Sequence, residues 1–525
     1  MASGTQGYGH RTGNRHKGRI NPPDVKPNKQ NSPIVNKKII FHILSTAGYV
    51  ATVFGQEPQP LSISLETAID RARTNSVEAE MAVNELRTAY WGYRTYRAEL
   101  LPELSFAATV PAYYRQFSAY MNSDGSYSFV PNNYLQVNGQ LSVTQNVWLT
   151  GGQISLRSNL DFYRQFGDPT FNRFMSIPVS VTFTQPIFGC NNIKWDRKIE
   201  PVRYEEAKAA YISATEEVAA KAIQYYFSLL MARENRDIAL QNTRNSERLY
   251  EVAREKRVMG KISENDLLQM ELNLLNARTE LTQSESDLKS NMFQLRTFLD
   301  LGDDTELEPV IPLDIPEVEI VYGDALEKAL ANNSFAKTML RMQLEADYEV
   351  AKAKGAQREI SLFLQLGYTG TGNDLADSYG RLKGNQIAQL GVDIPLVDWG
   401  RRKGKVKVAE SNRRLVESRI NKEQADFRQN LFILVEKYGN QLRLLQTARR
   451  ADEIARKRYA TNMETFIIGK ISTLDLNDSQ VKKDEARREY VNELYLFWLY
   501  YYQIRSVTLW DYRQNAPLTL PEGII

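Results

Sequence analysis

The chain has 525 residues, 42% hydrophobic and 25% charged, which excludes both a disordered chain and a bundle of membrane helices. Its formal charge of +3 divides unevenly: residues 1–56 carry +7 and the remainder −4, so the body has no electrostatic footprint for nucleic acid. His10, His16 and His42 all lie in that basic leader, and Cys190 is the single cysteine, so neither a His/Cys metal centre nor a histidine-assisted nucleophile can be built in the body.

Residues 1–34 are polar and basic and are expected to form no fold; they precede a segment that looks like a protein start, so translation beginning at Val35 is expected. Lys37 and Lys38 then introduce an uncharged, mostly apolar run over residues 39–54. It is short for a spanning helix and is followed by small residues at Val53 and Gly55, which predicts a signal peptide over 35–55 and a mature start near Gln56. No cysteine follows the run, so no lipid anchor is expected.

The body is two copies of one plan. GKISENDL at 260–267 recurs as GKISTLDL at 469–476, 209 residues on. The spacing from Pro186 to Gly260 is 74 residues, as is that from Pro395 to Gly469. Residues 65–75 resemble 322–332 at a different offset, which places about 47 extra residues in the first half, between Ser105 and Pro186. The repeats are set at 56–310 and 311–512, with a tail at 513–525.

Each copy reads helix, strands, long helix, turn, long helix. Helices are predicted over 64–98, 201–259, 321–355 and 401–468, with Pro201 expected to delay or kink the second. Leu267, Met270, Leu274, Ala277, Leu281, Ser284, Leu288, Asn291, Leu295 and Phe298 keep a 3-4 spacing, the seam of a coiled coil. Strands with alternating polarity are predicted over 103–115, 134–149, 153–166, 174–188, 360–369 and 387–396, a pattern suited to an outer-membrane barrel. The extra hairpin at 134–166 adds two strands to the first copy. The aromatics from Tyr495 to Tyr512 suit either an interfacial belt or helix packing.

With LPELSF at 101–106, TQPIF at 184–188, PLVDWGRRKG at 395–404 and the two GKISxxDL turns in this order, the sequence resembles the TolC-like outer-membrane efflux protein family over residues 60–512. The resemblance implies a mainly α fold with a membrane β-barrel: long antiparallel coiled-coil hairpins form a trimeric periplasmic tunnel joined to a shared outer-membrane barrel. It implies a homotrimer in outer-membrane lipid of a Gram-negative bacterium. The partners would be a periplasmic adaptor protein and an inner-membrane pump of RND or ABC type, in tripartite efflux or type I secretion. No enzyme activity, cofactor or nucleic acid is implied. Four strands per protomer are usual in the family, so twelve or eighteen strands per trimer both stay open here. An outer-membrane-anchored coiled-coil scaffold without an open channel is the second reading.

The turns are the candidate site. Gly260 and Gly469 suit the left-handed residue ending a helix, and Ser263 with Asp266 and Ser472 with Asp475 suit the caps of the returning helices. The resemblance places the periplasmic aperture here and carries its gate onto Asp475 and Asp478; Gln269 replaces the latter in the first copy. Lys261 and Ile262, and Lys470 and Ile471, are expected to be exposed and to contact the adaptor.

Overall fold

The computed structural model describes residues 61–524 except 168, 303, 358, 359, 393–396 and 469. The leader and its expected signal peptide lie outside the described residues, as do Gly469 and part of the PLVDWGRRKG motif.

The first copy runs β1 (Leu61–Ile63), α1 (Leu65–Asn75), α2 (Val77–Glu99), β2 (Glu103–Met121), β3 (Tyr127–Val147), β4 (Gly152–Gln165), β5 (Phe171–Pro186), α3 (Asn192–Val258) and α4 (Glu264–Phe298). The second runs β6 (Leu307–Pro309), α5 (Tyr322–Asn332), α6 (Ser334–Gly355), β7 (Ile360–Gly372), α7 (Leu375–Gly380), β8 (Lys383–Val392), α8 (Arg401–Ile467) and α9 (Thr473–Thr508), and closes on β9 (Trp510–Asp511) and β10 (Ala516–Pro517). Corresponding helices match in length: α1 and α5 have 11 residues, α3 and α8 have 67, and α4 and α9 have 35 and 36.

Three helix expectations are corrected. The helices predicted over 64–98 and 321–355 are each two helices, because Ser76 and Asn333 adopt extended backbone and cap the helix that begins after them. The Ser76 side chain accepts from Ala79 N, and that of Asn333 from Phe335 N. Pro201 does not delay α3, which starts at Asn192 under an Asn191 cap and runs through the proline.

At about 1.5 Å per residue, α3 and α8 are each roughly 100 Å long. They fold back on α4 and α9 as antiparallel hairpins. Along α4 every residue of the predicted seam is buried or half-buried. One apolar core holds α1, α3, α5, α8 and α9 together, with Tyr226, Phe497 and Tyr501 among its largest fully buried side chains. The late aromatics therefore pack between helices rather than forming a belt. Within this core β1 pairs in parallel with β6, and the Tyr226 hydroxyl accepts from Val310 N–H at 2.9 Å beside the Ile63 carbonyl.

All six long strands join one antiparallel sheet in the order β2-β3-β4-β5-β7-β8. The extra hairpin is thus an integral part of the sheet. β2 and β3 are longer than predicted, at 19 and 21 residues, whereas β4 keeps its predicted length within one residue and β8 begins four residues earlier than expected.

Candidate functional site

The register divides the sheet into two unlike faces. One carries Leu104, Phe106, Leu141, Val143, Ile154, Leu156, Val181, Phe183, Leu364 and Leu366, paired across neighbouring strands. The other carries Ser105, Gln136, Asn138, Ser142, Ser155, Asp161, Ser180, Thr182 and Gln365. The burial is opposite to that of a water-soluble sheet: Phe106 is 70% exposed and Leu366 59%, whereas Ser155 and Asp161 are each 3% exposed. Water does not leave an apolar face bare at this scale without a cover. Much of the polar face satisfies itself around one carboxylate. Asp161 accepts from Asn138 at 2.7 Å, Gln136 at 3.0 Å and Asn159 at 2.6 Å. Trp148 and Trp399, 50% and 94% exposed, flank the end of the sheet nearest the long helices, where an aromatic girdle would sit.

The far ends of the long helices form the two turns. At the first, Gly260 has φ +69°, and Lys261 N–H reaches back to the Lys256 carbonyl at 2.9 Å, a Schellman-type closure. Lys470 N–H makes the same bond to the Thr465 carbonyl at 3.1 Å. Both returning helices carry full capping boxes. Asp266 N–H donates to the Ser263 hydroxyl at 3.1 Å and its carboxylate receives Ser263 N–H at 3.1 Å; the corresponding distances for Asp475 and Ser472 are both 3.2 Å. The serine hydroxyls, then the serine amides, hold both carboxyls below the ordinary aspartate range.

Asp478 stands differently. Its carboxylate receives the Arg458 guanidinium at 2.6 Å across the α8–α9 hairpin. Arg458 was legible in principle: positions 458 and 478 are equidistant from residue 468, and equidistant positions face each other in an antiparallel hairpin. Lys261 and Lys470 are exposed, but Ile262 and Ile471 are half-buried, because the turns fold them inward. The exposed apolar residues at the turns are instead Val258, Met259, Ile468 and Leu474.

Behind the turns, polar clamps join the two hairpins. Arg487 of α9 binds Glu234 of α3 through two bonds of 2.8 Å, and the next residue, Arg488, reaches Asn235 of α3 at 2.9 Å and Glu280 of α4 at 3.2 Å. Asn242 of α3 donates to Asp484 of α9 at 2.7 Å beside a cavity of about 330 Å³. Sequence reasoning missed these residues, since nothing local links 234 to 487. Among the described residues no group of three His, Cys, Asp or Glu is placed to hold a metal ion, and no helix is long and apolar enough to cross a membrane.

Residues 133–300 match the family described as outer membrane efflux protein. The fold is similar to the CmeC outer membrane channel of Campylobacter jejuni, with TM-score 0.58 and 16% identity over 87% of each chain. It is also similar to the outer membrane protein VceC of Vibrio cholerae, with TM-score 0.58 and 14% identity over 86% of this chain and 96% of that one. The open-state MtrE outer membrane channel of Neisseria gonorrhoeae gives TM-score 0.55 and 13% identity over 85% of this chain and 88% of the other. No curated protein matches the sequence. In sequence motif and in fold, the chain resembles the TolC-like outer-membrane efflux proteins.

Proposed function

We propose that this TolC-like outer-membrane efflux protein is the channel subunit of an export system, a passive conduit across the periplasm and outer membrane of a Gram-negative bacterium. One observation carries the reading: the six-stranded sheet exposes its apolar face and withdraws its polar one. That arrangement suits a wall with lipid outside and water within.

β2 and β8 are the sheet's edges, each paired on one side only among the described residues. A bare edge invites pairing with another chain. Three copies joined β2 to β8 would close a barrel of eighteen strands, a size that leaves an aqueous channel. The hairpins α3–α4 and α8–α9 would then line a periplasmic tunnel whose aperture lies at Asp475 and Asp478. The exposed Val258, Met259, Ile468 and Leu474, beside Lys261 and Lys470, suit contact with the helical tip of a periplasmic adaptor, which would connect the duct to an RND or ABC pump.

The test is electrical. Purified protein in planar bilayers is expected to migrate as a trimer and to give discrete conductance steps. A trimer that stays silent even when Asp475 and Asp478 are both changed to Asn would instead favour a coiled-coil scaffold without a channel.

A further inference from the structure

The polar face of the sheet carries five charged residues among those described: Glu103, Arg157, Asp161, Arg173 and Lys383. They are not equally available. Asp161 is buried under three amide donors. Glu103 begins β2 at the end of the sheet nearest the long helices, while Arg173 and Lys383 lie toward the opposite end. Arg157 lies between these ends.

The row across the sheet at Arg157 is Ser105, Ser142, Arg157, Ser180, Gly367 and Asn385. Its other members are small or short, so nothing in the row overlays the guanidinium. A Cβ at Gly367 would lie 2.8 Å from the Val179 carbonyl, which keeps that position bare. Ser105 and Ser142 bond to each other at 2.8 Å. Ser180 is 3% exposed, and its hydroxyl has no partner among the described residues. Arg157 is exposed and makes no hydrogen bond or ion pair with any described residue. A bulge directly follows it in the β4–β5 ladder, a device that re-aims neighbouring side chains.

We propose that Arg157, supported by the Ser180 hydroxyl, is an anion-selecting group on the channel wall, and that the barrel favours solutes bearing carboxylate, sulfate or phosphate groups. The inference rests on the duct reading, which turns the polar face inward. Three copies then place three unpaired guanidiniums at one level of the barrel. Of the two carboxylates on the same face, Asp161 is already saturated and Glu103 lies away from the Arg157 row, at the end of the sheet nearest the long helices. Arginine rings are a known source of anion preference in pores. In a wide lumen their field is screened within about 10 Å at 0.1 M salt but reaches about 30 Å at 0.01 M. The preference is therefore strongest at low ionic strength.

The experiment measures the reversal potential of single channels in a KCl gradient at low salt, for the full-length trimer and for Arg157→Gln, Arg157→Glu and Arg157→Lys. The expected result is a chloride-to-potassium permeability ratio that falls at least about twofold in Arg157→Gln, falls further in Arg157→Glu, persists in Arg157→Lys, and converges among all forms near 1 M salt. Variant channels that conduct like the parent and share its reversal potential at low salt overturn the assignment while leaving the duct intact. A parent trimer that never conducts removes the duct itself and this inference with it.

Discussion

Arg505 of α9 donates to Glu216 of α3 at 2.9 Å, with both side chains nearly withdrawn from solvent. Arg505 also holds Asp511 at 2.6 Å, Arg73 of α1 joins Glu216, and the Tyr502 ring lies 5.0 Å from the guanidinium. One cluster thus ties α1, α3, α9 and the residues just after α9. Glu216→Ala leaves Arg505 with Asp511 alone, and Arg505→Ala leaves Glu216 with Arg73 alone, so each is expected to cost up to about 3–5 kcal/mol, the range for breaking a buried pair. Replacing the two together by apolar residues of similar volume is expected to cost less than the sum of the single changes, since the residual cost is that of leaving Arg73 and Asp511 without these partners. Thermal unfolding of the single and double variants checks both statements.

The range of each interaction decides how legible it was in the sequence. The duplicated turns, the α4 seam and the six strands rest on local periodicity, so they could be read residue by residue. The breaks at Ser76 and Asn333 were missed because neither residue is a strong helix breaker: each interrupts a helical pattern only by capping the next segment. The Glu216–Arg505 pair spans 289 residues and no periodicity announces it. At the turns the caps were legible from local spacing, whereas the ion-pair partner of Asp478 emerges only when the two helices of the hairpin are aligned about residue 468.

Glu493 of α9 predicts a dependence on pH. Burial lifts its carboxyl above the ordinary value of 4.5; Gln441, which donates to it, pulls the other way, and Glu489 raises it further. A carboxyl with a raised folded pKa binds its proton more tightly when folded. Its contribution is therefore most favourable below pH 4.5 and is lost as pH rises through the elevated folded value. Glu493→Gln keeps the acceptor for Gln441 and removes the charge. It is expected to raise the melting temperature at neutral pH and to flatten its decline with pH above the ordinary glutamate range. Melting curves of the two forms across pH 4–8 read this directly.

The capping boxes predict where the hairpins open. Ser263→Ala and Ser472→Ala each remove the acceptor of an N3 amide and the hydroxyl donor to the paired aspartate, which keeps only the backbone amide of that position. Loss of such a cap weakens the first turn enough to speed its amide exchange about fivefold. Exchange is expected to rise at 263–267 and 472–476 and to stay unchanged in the core around Tyr226. Uniform acceleration along α4 or α9 would mean that the boxes hold the whole hairpin rather than its end.

The α7 segment predicts a steric dependence on glycine. α7 packs on one end of β5 and β7, where the Ser176 hydroxyl donates to the Ser378 carbonyl at 2.5 Å. A Cβ at Gly370 would stand 1.9 Å from that carbonyl oxygen and one at Gly372 2.5 Å from Asp377 Cβ, so no side chain fits without moving α7. In the proposed outer-membrane trimer, Gly370→Ala is expected to lift residues 373–382 off the sheet and expose them to protease on intact cells, with trimer yield maintained. Ser176→Ala removes only the bond and is expected to do so more weakly.

In the proposed channel, Arg458 and Asp478 predict how the aperture would carry charge. Both side chains are about half exposed, so a double-mutant cycle is expected to give a coupling of only about 0.2–1 kcal/mol. In the proposed trimer the pair would matter more for the charge that three turns present together than for stability. Arg458→Gln unmasks Asp478 and is expected to increase block of the channel by multivalent cations added on the periplasmic side. Asp478→Asn leaves Arg458 unpaired and is expected to weaken that block below the parent level. Asp475 is engaged by Ser472, and Asp475→Asn is expected to change block less than Asp478→Asn while loosening the turn. Titrating block across the three variants separates the residues. Equal effects of Asp475→Asn and Asp478→Asn would show that the cap, rather than the Arg458 partner, sets the charge at the aperture.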